Sequence, residues 1–261
     1  MRILFIGDIF GRPGRRLIEA KLPEMRKEYG IDFCVANIEN AAAGFGITPK
    51  IADELLANGI DVFTSGNHIW DKRPIIPYMA GQPRLLRLHN YPKGVPGTGI
   101  YLGETEKGDR IGVLNLQGRA FMLPIDCPFT VGIAAVEEMI KETPVIVVDF
   151  HAEATSEKQG LGWYLDGRVS AVIGTHTHVL TADERLLPRG TAYITDIGMP
   201  GAHDSVIGSE TRIALERILM QTPNRLEPGS ENLRITGAVV DIDATTGRAV
   251  NIERVNRQFN L

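Results

Sequence analysis

Arg2-Ile3-Leu4-Phe5-Ile6-Gly7-Asp8 runs four apolar residues in a row into a glycine and a carboxylate. A short unbroken apolar run reads as a strand buried on both faces, the kind found in parallel sheets. The carboxylate at its end lies where such sheets place their ligands. Four further segments repeat this arrangement of apolar run, small residue and polar side chain. They are Ile38-Glu39-Asn40, Gly66-Asn67-His68, Asp149-Phe150-His151 and Gly174-Thr175-His176-Thr177-His178. Between them they hold four of the six histidines.

Working outward, Pro13-Gly14 opens a helical stretch that ends near Tyr29-Gly30, and Phe33 to Ile38 is the next strand. Thr48-Pro49 supplies an N-cap and a proline at the first helical position, and Gly59 closes that helix. Asp61 to Thr64 is a third strand, so the first 65 residues form β-α-β units with parallel pairing. From Pro74 to Pro128 the chain turns rich in proline and glycine, with strands at Thr98 to Leu102 and Ile111 to Leu116. That stretch implies a sheet edge, a hairpin and loops. A helix follows at Thr130 to Glu142, then strands at Val145 to Val148, Ser170 to Ile173 and Ala192 to Ile194, and a helix at Glu210 to Met220. The tail, with a turn at Thr245-Thr246-Gly247, reads as an antiparallel hairpin. The expectation is an α/β fold, a mixed sheet system with helices outside, forming a single domain over residues 1–261.

Composition narrows the function classes. A net charge of −4 argues against a general nucleic-acid or membrane binder, although bound metals would not appear in that count. The two cysteines, Cys34 and Cys127, stand too far from any partner motif for a disulfide framework or a zinc knuckle. Cys34 reads as a buried strand residue. No apolar stretch approaches the roughly 18 residues that span a bilayer. No charged leader precedes the first strand. A soluble, cytoplasmic protein is expected.

Taken singly, the candidate residues are weak. A strand-end Asp8 is commonly a turn former, Asp71 is as much a helix N-cap as a partner for His68, and a lone His151 is commonly a hydrogen-bonded core residue. Glu39 is harder to dismiss. It adjoins a buried strand, backed by Ala41-Ala42-Ala43-Gly44, and a buried glutamate needs a pair or a cation. His176 and His178 are sharper still, because in an extended segment residues two apart face the same side. Glu153 reads as a loop residue or a partner to a ligand, His89 and His203 as loop histidines, and Arg119, after Gln117-Gly118, as a surface arginine with a phosphate contact as the alternative. Asp, Glu, Asn and His delivered from neighbouring strand ends are what a pair of hydrolytic metal ions requires.

In this order, Gly7-Asp8, Asn37-Ile38-Glu39-Asn40, Gly66-Asn67-His68, Asp149-Phe150-His151 and Gly174-Thr175-His176-Thr177-His178 resemble the calcineurin-like metallophosphoesterases. The wording around them is similar to their YmdB branch, the bacterial 2′,3′-cyclic-nucleotide phosphodiesterases. The likeness continues through Thr64-Ser65, Ile69-Trp70-Asp71, Ala152-Glu153 and Thr195-Asp196-Ile197-Gly198-Met199-Pro200-Gly201, over nearly the whole chain. It implies a four-layer α/β/β/α sandwich with two metal ions between the strand ends, iron in this branch with manganese able to support such sites. It implies that Asp8, Glu39, Asn40 and His178 hold one metal and that Asn67, His151 and His176 hold the other, with Glu39 bridging and His68 as proton donor. The chain departs from the wider superfamily at Phe10, which replaces the histidine of the usual Asp-x-His, and at Glu39, which replaces an aspartate. Asn40 would fill the vacated position with oxygen.

The reaction expected is phosphodiester hydrolysis by a metal-bound hydroxide on a small cyclic nucleotide, 2′,3′-cyclic favoured over 3′,5′-cyclic. Asp8 and Glu39 bring two negative charges against four positive ones if both metals are divalent, which leaves a positive excess for an anionic substrate. A regulatory protein that binds a nucleotide or RNA without turnover, and a metal-dependent amide or ester hydrolase, are the competing readings. RNA is not indicated by the charge. Selectivity would come from the loops between Pro74 and Pro128 and around Pro200 to Val206. A homo-oligomer is compatible with the sequence.

Overall fold

A computed structural model describes residues 1–260. In chain order the elements are β1 (Arg2–Ile6), α1 (Gly11–Tyr29), β2 (Phe33–Asn37), α2 (Pro49–Ala57), β3 (Val62–Thr64), α3 (Ile75–Gly81), β4 (Ile100–Glu104), β5 (Arg110–Gln117) and α4 (Pro128–Met139). The second half adds β6 (Ile146–His151), α5 (Thr155–Leu165), β7 (Ala171–Thr175), β8 (Arg185–Leu186), β9 (Ala192–Ile194), β10 (Gly201–Ala202), α6 (Thr211–Met220), β11 (Leu233–Ile242) and β12 (Ala249–Gln258).

The strands form two six-stranded sheets. In the first, β1, β2 and β3 run parallel, and the C-terminal hairpin of β11 and β12 joins antiparallel at β1. In the second, β5, β6, β7 and β9 run parallel, with β4 and β8 antiparallel at the edges. Side-chain alternation along the strands divides the apolar residues among three cores. Ile3, Phe5, Val35 and Val62 of the first sheet meet Val113, Val147, Ile173 and Ile194 of the second between the sheets. Leu4, Ile6, Cys34 and Phe63 face outward against Leu17, Leu22 and Leu55 of α1 and α2. Ile146, Val148 and Phe150 face outward against Val136, Met139, Leu161 and Leu165 of α4 and α5. The layers are therefore α/β/β/α, as the resemblance implied. No helix among the described residues is long and apolar enough to cross a membrane.

Two helices depart from the sequence expectations. The stretch after Pro74 holds α3, a short helix hidden by its flanking prolines. More telling is α5, which the sequence masks with Gly160 and Gly162. A Cβ on Gly162 would lie 2.6 Å from the ring of Tyr193, a fully buried β9 residue. The glycine therefore gives up helix propensity so that α5 can lie directly on the sheet. The terminal hairpin is also longer than its sequence pattern showed, because β11 runs unbroken through Thr236-Gly237.

Gly162→Ala sets two effects of known size against each other. Helix propensity alone would stabilise the protein by up to ~1 kcal/mol. Overpacking against the Tyr193 ring costs about 1–3 kcal/mol. The expected outcome is a lower urea midpoint with an unchanged slope. A raised midpoint would show that the ring yields.

Candidate metal centre

The parallel strands of both sheets end along one seam, and the inward row on each strand changes there from apolar to polar. On β2 the row runs Phe33, Val35, Asn37; on β6 it runs Val147, Asp149, His151; on β7 it runs Ala171, Ile173, Thr175. All of these polar side chains are buried. Asp149 accepts a 2.7 Å hydrogen bond from Thr175 Oγ1 and a 3.3 Å one from Asn37 Nδ2. The loops just beyond the strands deliver the charged residues. Asp8 follows β1 and Glu39 follows β2, and their exposures are 0% and 1%.

Glu39 stands at the middle. Its Oε1 is 3.2 Å from His151 Nε2 and 3.1 Å from Asn40 Nδ2, and its Oε2 accepts the His68 backbone N–H at 3.0 Å. His151 Nε2 is also 3.2 Å from Asn67 Oδ1 and 3.1 Å from His176 Nδ1. His178 Nε2 lies 3.0 Å from Asn40 Nδ2 and 3.8 Å from Asp8 Oδ2. The other side of the cluster closes where Asp8 Oδ2 accepts the His176 backbone N–H at 2.8 Å. The seven residues singled out in the sequence as metal ligands thus lie together. His68 stands beside them, with its Nδ1 2.9 Å from Asp71 Oδ2 and the Phe45 ring edge-on at 5.1 Å.

His176 and His178 both reach the cluster, but not from the extended segment their spacing predicts. β7 ends at Thr175, and both histidines have positive φ, 105° and 65°. That backbone is uncommon outside glycine and signals local strain held by its surroundings. The hold comes from a buried ion pair that the sequence reading missed. Lys158 Nζ, on α5, donates to Asp196 Oδ2 at 2.6 Å and to Thr175 O at 2.7 Å. Asp196 Oδ2 also accepts the Thr177 N–H at 3.0 Å. A lysine shortly after the Asp149-Phe150-His151 strand end and an aspartate after an apolar strand gave the only sequence signal. Arg119 makes no approach to the cluster; its guanidinium lies 3.3 Å from Cys127 Sγ. His89 and His203 lie outside the cluster, and His203 Nε2 bonds to Met199 O.

The imidazoles share an orientation. His178 Nδ1 donates to Ile207 O at 2.8 Å. Thr175 Oγ1 gives its proton to Asp149, so its lone pair faces His151 Nδ1, 2.9 Å away. Meanwhile His176 Nε2 is 3.1 Å from Glu153 Oε2. Each ring gives its outer nitrogen to an oxygen and turns the other nitrogen into the cluster, the arrangement that fixes histidine tautomers around metals.

The electrostatics are those of a site short of positive charge. Burial pushes the Asp8 carboxyl well above its usual range, against the pull of His151, and nearby Glu39, Asp196 and Asp149 add to the rise. Burial also acts on Glu39, but His151 overrides it and holds Glu39 down to about 2. His151 in turn is held up to about 9 by Glu39 despite its own burial. Burial and the neighbouring His151 charge push His176 down to about 3. Three structural facts fit a cation here. Asp8 Oδ1 is buried with no hydrogen-bond partner, a condition that calls for an explanation. A Cβ at Gly66 would lie 2.1 Å from His151 Nε2 and 2.2 Å from Glu39 Oε2, so the backbone is drawn up against the cluster. Ligand atoms of Glu39, His151 and His176 all lie within 4.8 Å of one another.

Two packed sheets with helices outside, and this gathering of carboxylate, amide and imidazole at their common edge, define a protein of the metallophosphoesterase type. The family model described as "YmdB-like protein" matches residues 4–255, and the chain belongs to that family. It is 48% identical to a 2′,3′-cyclic-nucleotide 2′-phosphodiesterase of Bacillus subtilis, covering 98% of this chain and 96% of the relative. It is 33% identical to a putative phosphatase/phosphodiesterase of Mycoplasma genitalium, covering 98% and 92%. Among solved structures, a hypothetical protein from Thermus thermophilus superposes with a TM-score of 0.92 at 39% identity, covering 99% of both chains. A novel phosphatase from Mycoplasma pneumoniae gives 0.92 at 30% identity, covering 99% of this chain and 93% of the other.

Lys158→Met keeps the side-chain length and removes the ammonium, which leaves Asp196 buried without its partner. Breaking such a pair costs about 3–5 kcal/mol. A large fall in the urea midpoint is expected. A loss under ~1 kcal/mol would show that the pair does not hold this turn.

Proposed function

We propose that this protein is a metal-dependent phosphodiesterase that opens 2′,3′-cyclic nucleotides. In this reading Asp8, Glu39, Asn40 and His178 hold one cation, and Asn67, His151 and His176 hold a second, with Glu39 shared between them. The observation that carries it is the orientation of His151, His176 and His178. Three rings with their outer nitrogens held by oxygen and their inner nitrogens on one cluster are poor designs for a hydrogen-bonded core and good ones for ligation. The mixture of imidazole, amide and carboxylate suits iron or manganese. The name of the Bacillus relative supports the substrate, and the 2′,3′-cyclic ester is favoured over a 3′,5′-cyclic ester for that reason.

When bound, a pair of such cations supplies Lewis-acid polarisation of the phosphate and activation of water. The chain's own groups do the rest. Asp8 and Glu39 carry fewer negative charges than two divalent cations carry positive ones, so an anionic diester is not repelled. Asn40 and Asn67 add donors without adding charge. Asp71 holds His68 by Nδ1, leaving Nε2 to give its proton to the departing ribose oxygen. His68 lines a cleft together with Asn67 and His176, within reach of a phosphate held there. A positioned acid of this kind contributes ~10²–10⁴-fold.

His68→Ala is expected to keep the full metal content and to lose ~10²–10⁴-fold in turnover of cyclic nucleotides. The loss should be smaller on a nitrophenyl diester, whose leaving group needs no proton. Loss of metal in this variant would remove the proton-donor assignment. Glu39→Gln is expected to empty at least one metal position by elemental analysis of protein purified with iron or manganese. Full occupancy would remove Glu39 as a shared ligand.

A further inference from the structure

Beside the candidate metal centre lies a cleft of about 560 Å³ with two chemically distinct ends. One end is polar, lined by Asn67, His68, Asp71 and His176. The other is Phe121-Met122-Leu123-Pro124, four residues without a charged side chain among them. Phe121 is 93% exposed and Leu123 65%. Adjoining exposed apolar side chains beside a charged cleft, unlike apolar residues scattered singly, are the kind of surface that marks a ligand-binding groove.

The exposure is built in. Gln117 ends β5 and Gly118 follows it, with Gly118 N donating to His151 O at 3.0 Å. Glu157, in the first turn of α5, accepts the backbone N–H of Arg119 at 3.0 Å and of Ala120 at 3.1 Å. Met122 N returns to Arg119 O at 3.3 Å, and the Met122 side chain packs on the core between α4 and the second sheet. The residues on both sides of Phe121 are thus tied down. Phe121 itself takes a positive φ of 62°, which a bulky side chain adopts only when its surroundings impose it. The loop turns Met122 into the core and Phe121 out over the cleft.

Resting on the phosphodiesterase reading of the same centre, we propose that Phe121 is the platform on which the nucleobase of the substrate stacks while its cyclic phosphate lies at the polar end. A nucleotide has the same division as the cleft, an anionic ester at one end and a flat π-surface at the other. Every base offers a π-face, and stacking on an aromatic side chain tolerates any base. Phe121, Met122, Leu123 and Pro124 offer no side-chain hydrogen bond to a base edge. The subsite therefore selects nucleotides over base-free diesters, and among nucleotides it favours purines through stacking area alone.

The test compares binding by calorimetry, on metal-loaded protein, of adenosine 3′-monophosphate and of glycerol 2-phosphate, which carries the phosphate without a base. Phe121→Ala is expected to weaken the nucleotide roughly 5- to 150-fold, the range of one base–aromatic stack, and to leave glycerol 2-phosphate unchanged. Phe121→Trp should restore nucleotide binding, and Phe121→Leu, apolar but without a ring, should not. In turnover the Phe121→Ala loss should fall on KM for cyclic nucleotides and be absent for glycerol 1,2-cyclic phosphate. Equal weakening of both ligands, no weakening of either, or a smaller sedimenting species in Phe121→Ala than in the parent would each overturn the proposal. If the parent protein binds both ligands but hydrolyses no cyclic diester, the phosphodiesterase reading fails, and the binding comparison still decides the role of Phe121.

Discussion

Four carboxylates, Asp8, Glu39, Asp149 and Asp196, are buried along one seam between the sheets, and one lysine, Lys158, is buried with them. Ionised carboxylates cannot be taken from water without compensation, so this imbalance governs the whole edge. Each group has its own compensation. Asp196 takes Lys158 and two backbone N–H groups. Asp149 takes hydroxyl and amide hydrogens from Thr175 and Asn37. Glu39 takes His151, the Asn40 amide and the His68 backbone, whereas Asp8 is left with one backbone N–H and an oxygen that bonds to nothing. The least compensated carboxylate is Asp8, and the cation that would relieve it is one that Glu39 would share.

This arrangement follows from strand alternation. An inward-facing residue on any parallel strand belongs to the row that fills the space between the sheets, apolar in the middle and polar at the carboxyl end. Asn37, His151 and Thr175 are the last inward positions on β2, β6 and β7, and Asp149 is the inward position just before His151. The loops that follow extend the same rows. Supports and candidate ligands therefore share one origin, and Thr175 illustrates it by bonding at once to Asp149, which supports, and to His151, which faces the cluster.

The parts of the fold written in contiguous residues were legible. Apolar runs marked the strands on either side of the seam, and Thr48-Pro49 marked α2, where Thr48 does accept the Ile51 N–H. The grouping of Asp8, Glu39, Asn67 and the four histidines was legible because each closes such a run. What the sequence concealed depends on contacts between distant residues. Gly162 reads as a helix breaker until Tyr193 is seen beneath it. Nothing adjacent to Lys158 in the chain marks it as buried, because its partner Asp196 lies 38 positions away. The periodicity argument for His176 and His178 reached the right neighbourhood through the wrong backbone, since a strained turn and not an extended strand presents both rings. Phe121 gave no periodic signal at all, being a single side chain in a loop.

The candidate ligands come in two sets that the chain brings together only by folding. Asp8, Glu39, Asn40 and Asn67 follow strands of the first sheet, whereas His151, His176 and His178 end or follow strands of the second. In the proposed assignment each cation draws donors from both sets, so each would be a clamp across the sandwich and not a bond within one sheet. No such site exists in the unfolded chain, and whatever binds only the native state stabilises it by mass action. The inter-sheet core of Val35, Val62, Val147 and Ile173 holds the two layers together along the interior. At the polar end, where apolar packing stops and buried carboxylates oppose closure, bound cations would supply the attraction that hydrophobic contact cannot.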